Sequence, residues 1–266
     1  MYAATATVMF LGMNLSQDEQ AGQSTRRDCL VLIPGTLCDA SLFKRQVRVL
    51  RQRWQVIVLD YQHLTDLKVW PTQTLRTLPE QFYLAGFSLG GLWILELLRR
   101  APQRVLGIAL IASNAEGGTR RSELRSASLW RLWRHAGAQG VVRQVLPDYF
   151  HCRAVRDKQA ARLSDMARST PSRAARAEFE WAARRPSGLE LISAFDKPLL
   201  IVSGARDKVC PRRFQQRMVN AQPEADWAEL PRCGHFIPLE KPAALTALLS
   251  RWLTNAPTKQ TERRPS

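Results

Sequence analysis

The sequence predicts an α/β fold: a mostly parallel sheet covered by helices on both faces and interrupted by a helical insertion. Three observations predict it. Short, continuously apolar runs alternate with amphipathic stretches, the pattern of strands buried on both faces and joined by crossover helices. That alternation stops between residues 114 and 194, where no strand pattern is present. The length, 266 residues, suits one large domain carrying an insertion, at about 150 residues per domain.

The elements follow in order. Val8–Gly12 is an N-terminal strand candidate, and a polar loop leads from it to residue 28. Cys29–Ile33 is an apolar run closed by Pro34-Gly35, and Trp54–Leu59 has the same character and ends at Asp60. Between them, Leu42, Phe43, Val47 and Leu50 recur at helical spacing, predicting a helix from Leu42 to Arg53. Phe82–Ala85 is the third strand candidate, and Gly91–Arg100 is a helix stopped by Pro102. Val105–Ile111, Leu199–Ser203 and Ala225–Leu230 read as further strands, and Ala243–Leu253 as a closing amphipathic helix. Residues 29–113 and 195–254 thus form the core. Residues 114–194 read as several short Arg- and Ala-rich helices, a cap, and residues 255–266 as a frayed tail.

Composition excludes several classes. At 45% hydrophobic and 23% charged residues, the chain is that of a globular protein. Five cysteines, an odd number with no C-x-x-C pair, argue against a disulfide framework or a structural zinc site and for a reducing compartment. No basic region precedes the short apolar run near the N-terminus, and no stretch approaches 18 apolar residues. Neither a secretory signal nor a membrane span is expected, and a cytoplasmic location follows as the default.

The chemistry concentrates at Gly86-Phe87-Ser88-Leu89-Gly90-Gly91, a G-x-S-x-G set between a strand candidate and a helix. Such a serine sits on a sharp strand-to-helix turn, and glycines on either side remove side chains that would collide there. A serine hydroxyl needs a base, and the base needs an orienting carboxylate. Of the four histidines, His235 follows the last strand candidate, whereas His63 follows an early strand and His135 and His151 fall in the insertion. Asp207 lies just past the Leu199–Ser203 run, and the order Ser88, Asp207, His235 is the one this arrangement requires. Oxyanion donors are expected from the backbone N–H of Leu89 and from the loop after the first strand, with Thr36 first and Leu37 second. Phe87, Phe236, Trp130 and Trp133 are the expected substrate-pocket residues, together with Leu37 and Leu89; Cys38 has no adjacent base and reads as structural. No G-x-G-x-x-G or G-x-x-x-x-G-K-[ST] is present, and the expected chemistry requires no cofactor and no metal.

The segments LVLIPGTLCD, LAGFSLGG, APQRVLGIALI, LIVSGARD and CGHFIPLEKP resemble the α/β-hydrolase superfamily from Cys29 to Leu253. In order and spacing they are similar to its small capped serine esterases, the group that includes pimeloyl-carrier-protein methyl esterases. The resemblance implies the α/β-hydrolase fold, with Ser88 as nucleophile, Asp207 as acid and His235 as base. It also implies an acyl-enzyme mechanism on a small-molecule acyl ester. Serine at the elbow argues against the dehalogenase and epoxide hydrolase branches, which place Asp there. Two departures stand out: Pro34 replaces the common His of a His-Gly oxyanion motif, and Asp60–Glu80 leaves room for only a one- or two-turn helix before the elbow. Thioesterases, lactonases and C–C hydrolases share the same triad, and a non-catalytic binding protein can share the fold.

The remaining feature is charge, +16 with 32 Arg against 7 Lys. The insertion and its first flanking residue, 114–195, hold 15 Lys+Arg against 8 Asp+Glu. One reading is an Arg-rich solvated surface; a sharper one is a basic cap that docks an acidic acyl carrier protein. No nucleic-acid module accompanies the charge, so a nucleic-acid partner is not expected.

Overall fold

The computed structural model describes residues 27–60 and 69–256. The N-terminal strand candidate at Val8–Gly12 and the tail from residue 257 lie outside the described residues. Among the described residues, six strands form one parallel sheet: β1 (Cys29–Ile33), β2 (Gln55–Val58), β3 (Phe82–Phe87), β4 (Val105–Ile111), β5 (Leu199–Gly204) and β6 (Asp226–Leu230), in spatial order 2-1-3-4-5-6. The predicted runs from Cys29 onward all fall on strands: the inner ones, β1, β3, β4 and β5, are almost wholly buried, and the edge strands β2 and β6, expected at Trp54–Leu59 and Ala225–Leu230, are partly exposed.

Period-two alternation splits each inner strand between two cores. Leu30 and Leu32 pack on one face with the helices α1 (Lys44–Leu50) and α9 (Pro242–Asn255), through Leu50, Leu245, Leu249 and Trp252. Cys29, Val31 and Ile33 pack on the other with α2 (Trp70–Thr77), α3 (Leu89–Arg100), α7 (Leu189–Ser193) and α8 (Arg212–Ala221). The helix expected over 42–53 resolves into a 3₁₀ turn at Ala40–Phe43, then α1, then a turn. The short helix before the elbow is α2, two turns long, with Trp70 packed on Trp93. The guanidinium of Arg104 closes the loop behind it, donating to the carbonyls of Leu75, Leu78, Pro79 and Glu80. Helix α8 carries no strong sequence signal, because its apolar face is only Phe214, Met218, Val219 and Ala221 amid polar residues.

Between β4 and β5 the chain forms α4 (Arg120–Tyr149), α5 (Arg153–Ser169) and α6 (Ser172–Arg184) before α7. These helices are longer than the short ones expected. Helix α4 spans 30 residues, opens with a Thr119–Ser122 capping box and breaks at Gly137, whose φ of 62° no ordinary helical residue adopts. Val141, Val142, Leu163, Met166 and Phe179 from this segment join one apolar cluster with Leu37, Cys38 and Phe236 of the core. The inserted helices therefore pack over the carboxyl ends of the strands. No described helix is long and apolar enough to cross a membrane.

Register brings those strand ends level: Ile33 pairs with Gly86, Gly86 with Leu110, and Leu110 with Ile201. Strand order reverses between β1 and β3, and the crevice outside such a switch point is where open parallel sheets present ligand-binding loops.

Candidate active site

Ser88 occupies the turn from β3 into α3 with φ 51° and ψ −112°, a conformation a β-substituted residue holds only when its surroundings enforce it. The enforcement is visible. Ser88 N–H donates to the Ile111 carbonyl at 2.8 Å, and the Ser88 carbonyl accepts from Ser113 Oγ at 2.8 Å and from Gly91 N–H at 3.0 Å. A Cβ on Gly86 would lie 2.7 Å from Gly91 N, and one on Gly90 would lie 2.6 Å from the Pro34 carbonyl oxygen, so only glycine lets α3 approach β1 this closely.

The three residues that sequence order selects are in hydrogen-bond contact. Ser88 Oγ is 3.0 Å from His235 Nε2, and His235 Nδ1 is 2.9 Å from Asp207 Oδ2. Asp207 turns its other oxygen, Oδ1, to the backbone N–H groups of Val209 and Cys210, both at 2.8 Å. Burial alone would raise the Asp207 carboxyl; the adjoining His235 charge and the hydrogen bonds from His235, Cys210 and Val209 outweigh it and hold the carboxyl below its ordinary range. An ionised acceptor at Oδ2 keeps the imidazole proton on Nδ1, so Nε2 presents its lone pair to the serine hydroxyl. The imidazole itself is 2% exposed and is flanked by the rings of Phe87 and Tyr149 at 5.2 and 5.3 Å.

The loop carrying His235 is pinned from the inserted segment. The Tyr149 carbonyl, at the end of α4, accepts from His235 N–H (2.9 Å) and Phe236 N–H (3.2 Å). Glu240, its side chain wholly buried, takes Gly234 N–H on Oε1, and His151 N–H and Nδ1 on Oε2 at 3.0 and 2.6 Å. His151 is thus a bracing residue away from Ser88. His135 is exposed on α4, and His63 lies outside the described residues.

On the oxyanion side, Leu89 opens α3, so its N–H belongs to the first turn that lacks intrahelical acceptors. Thr36, Ser88 and Leu89 line one cleft of about 300 Å³. Leu37 is different. Its N–H already donates to Glu178 Oε2 of α6 at 2.7 Å, in a buried contact. The Leu37 N–H is thus engaged away from the cleft, whereas Thr36 borders it.

The expected pocket residues divide. Phe236 and Leu37 border a small apolar recess of about 30 Å³ with Leu129, Val141, Leu163 and Phe179. Phe87 is buried behind the site, 5.0 Å from the Phe236 ring. Trp130 and Trp133 do not border the cleft. Trp133 is buried between helices, edge-on to Phe179 with its Nε1 donating to Ser172 Oγ, and Trp130 lies in a separate groove beneath the Arg176 guanidinium. Residues that sequence reading missed take their place. Tyr149 faces His235, and Arg121, Arg125, Lys208 and Arg213 line the mouth of the cleft.

Among the described residues, Asp207, Cys210 and His235 bring potential metal-ligand atoms within 4.8 Å of one another. The donors do not suit a cation. Burial and the Asp207 charge push the Cys210 thiol up to about 12, keeping it protonated, and both Asp207 oxygens are occupied. Cys38 is likewise inert, its thiol raised by burial and by the Glu178 and Asp39 charges.

A model of the alpha/beta hydrolase family matches residues 30–248. The chain belongs to this family. As an alpha/beta hydrolase it is similar to the pimeloyl-[acyl-carrier protein] methyl ester esterase of Aromatoleum aromaticum, with 28% identity over 200 residues, 69% of this chain and 78% of that protein. Among solved structures, a thermophilic esterase from Thermogutta terrifontis shares the fold at a TM-score of 0.76 and 21% identity, covering 87% of this chain and 91% of the other. An enol-lactonase from Burkholderia xenovorans does so at 0.71 and 21%, covering 86% and 92%.

Proposed function

We propose that this hydrolase cleaves carboxylic esters through an acyl-enzyme on Ser88. The observation that carries the reading is the continuous hydrogen-bonded chain from Ser88 Oγ through His235 to Asp207. In the first half-reaction His235 Nε2 removes the hydroxyl proton as Oγ attacks the acyl carbonyl. The tetrahedral oxygen accepts from the N–H groups of Leu89 and Thr36, and His235 returns the proton to the leaving alkoxide. In the second, His235 activates water to hydrolyse the acyl-enzyme. Asp207 remains ionised and stabilises the imidazolium that forms in each half.

In this reading residues 114–194 are a cap, and the recess beside Phe236 receives the acyl chain. At about 30 Å³ it favours a short acyl group unless the cap yields. The test is labelling by a fluorophosphonate. The folded wild type should label and Ser88→Ala should not, and esters of graded chain length should be turned over fastest at short acyl lengths. A folded wild type that does not label would overturn the proposal.

The charged lining of the cleft has its own reading. Arg121, Arg125, Lys208 and Arg213 are exposed residues along the cleft, where the far end of a longer substrate would emerge, and the Aromatoleum relative is named for the methyl ester of a carrier-linked acyl group. These support an acidic acyl carrier protein as the substrate's bearer. Electrostatic docking weakens with ionic strength. Turnover of a carrier-linked ester should therefore exceed that of the free methyl ester at low salt and converge with it at high salt. Equal rates across the series would exclude carrier docking.

A further inference from the structure

A buried carboxyl that the reaction scheme does not use lies one residue from a proposed oxyanion donor. Glu178, on α6, is 1% exposed and accepts the Leu37 N–H at 2.7 Å across 141 residues of sequence. The loop it grips is a β-turn closed by Cys38 N–H on the Gly35 carbonyl. Of its two central residues only Leu37 has positive φ, at 55°, which makes the turn type II without the glycine such a turn prefers. Turns of type I and type II differ by a flip of the central peptide, here the one joining Thr36 to Leu37. In the flipped form Leu37 would relax to negative φ and its N–H would leave Glu178. The turn that carries Thr36, which borders the Ser88 cleft, would then lose its tie to α6.

We infer that Glu178 is a positioning residue: by accepting the Leu37 N–H it fixes the place of this turn beside the cleft, and with it the Thr36 N–H of the preceding peptide at the developing oxyanion. The inference rests on the esterase reading above. It assigns a carboxyl of the inserted segment to the oxyanion side of the site, so that side is complete only when α6 is docked.

The protonation state of Glu178 matters to the reaction. Burial raises its pKa from 4.5 to about 8; the Leu37 hydrogen bond opposes the rise and the Asp60 charge adds to it. The other titratable group facing it is the Cys38 thiol, itself held protonated. Below about pH 8 the neutral carboxyl still offers an oxygen to the Leu37 N–H. Above it, a buried negative charge stands beside the site where the oxyanion develops, and like charges there oppose the transition state. The same shift gives a stability signature. Between 4.5 and about 8 the native state binds a proton that the unfolded state has lost, so stability falls as pH rises through that window.

The test compares Glu178→Gln and Glu178→Ala with wild type on a short-chain ester, with fluorophosphonate labelling as the check that Ser88 is reactive. Glu178→Gln keeps an acceptor oxygen and should retain kcat within about threefold, without the decline above about pH 8 expected of the wild type. Glu178→Ala should lower kcat by about 10- to 100-fold with little change in KM, since the loss falls on the transition state. Superimposable pH profiles for wild type and Glu178→Gln would overturn the inference. So would a folded Glu178→Ala with wild-type kcat. If Glu178→Ala does not fold, the Glu178→Gln pH profile decides. A wild type that neither labels nor hydrolyses esters would instead remove the esterase reading itself.

Discussion

Replacing Asp207 by Asn separates the shape of the proposed triad from its proton logic. The two residues are isosteric, but one end of the carboxylate is already committed, because Oδ1 accepts the N–H groups of Val209 and Cys210 at 2.8 Å each. An asparagine must present its carbonyl oxygen there. Turning its NH₂ to that side would strand two buried backbone donors, at a cost of about 1–3 kcal/mol each. The NH₂ therefore faces His235 Nδ1, where the carboxylate oxygen stood at 2.9 Å. A donor opposite Nδ1 draws that nitrogen's lone pair and moves the ring proton to Nε2, so Nε2 now donates to Ser88 Oγ instead of accepting from it. Recovering the productive tautomer requires reversing the amide, about 2–6 kcal/mol for the two backbone bonds, which corresponds to a loss in kcat of roughly 30-fold to 3 × 10⁴-fold. The assay is steady-state ester hydrolysis together with the rate of fluorophosphonate labelling, with near-unchanged KM and thermal midpoint as the sign that geometry survives. A folded Asp207→Asn enzyme within tenfold of wild type would refute the argument that Asp207 sets the tautomer.

Three further outcomes follow from packing. Gly90→Ala places a methyl group 2.6 Å from the Pro34 carbonyl oxygen; the elbow must open, and a loss above ~3 kcal/mol should lower the midpoint of thermal unfolding by roughly 6–12 °C. Arg104→Lys should destabilise by about 1.5–3 kcal/mol in urea titrations, because a point-charge ammonium cannot reproduce a fork that reaches four carbonyls behind α2. In the native protein a thiol reagent should modify Cys152 rapidly and leave the buried Cys29, Cys38, Cys210 and Cys233 intact, whereas all five should react after denaturation; fast reaction of Cys38 without unfolding would contradict the packing around the oxyanion turn.

The core was legible because burial on both faces leaves a one-dimensional trace. Runs such as Val105–Ile111 and Leu199–Val202 are apolar and coincide with inner strands, Trp54–Leu59 has the same character and coincides with β2, and β6 is legible mainly from its place in the rhythm. Ser88, Asp207 and His235 were legible because each follows a strand end, and parallel register brings strand ends to one edge. The insertion was not legible to the same depth. An aromatic on a helix announces burial but not the burying partner, and Trp133 lies against Phe179 rather than in the cleft. Glu178 and Glu240 carry no local signal at all. A carboxylate at either position reads as surface charge until the fold brings Leu37, or Gly234 and His151, against it.

Those two carboxyls change what the insertion is for. If residues 114–194 served only to cover a finished site, the proposed catalytic groups would take their hydrogen bonds from the sheet and its own loops. Ser88 and Asp207 do: besides His235, their partners include Ile111, Ser113, Gly91, Val209 and Cys210. His235 and the oxyanion turn do not. The backbone N–H of His235 ends on Tyr149, the glycine before it is tied through Glu240 to His151, and Leu37 is tied to Glu178. Opening the helices far enough to break these contacts would leave those buried donors without acceptors and free both the base and one oxyanion donor to reorient. On the proposed roles, the open form is therefore inactive as well as accessible. A substrate that closes the helices around its acyl chain completes the catalytic geometry in the same step, which couples chain-length selection to kcat rather than to KM alone.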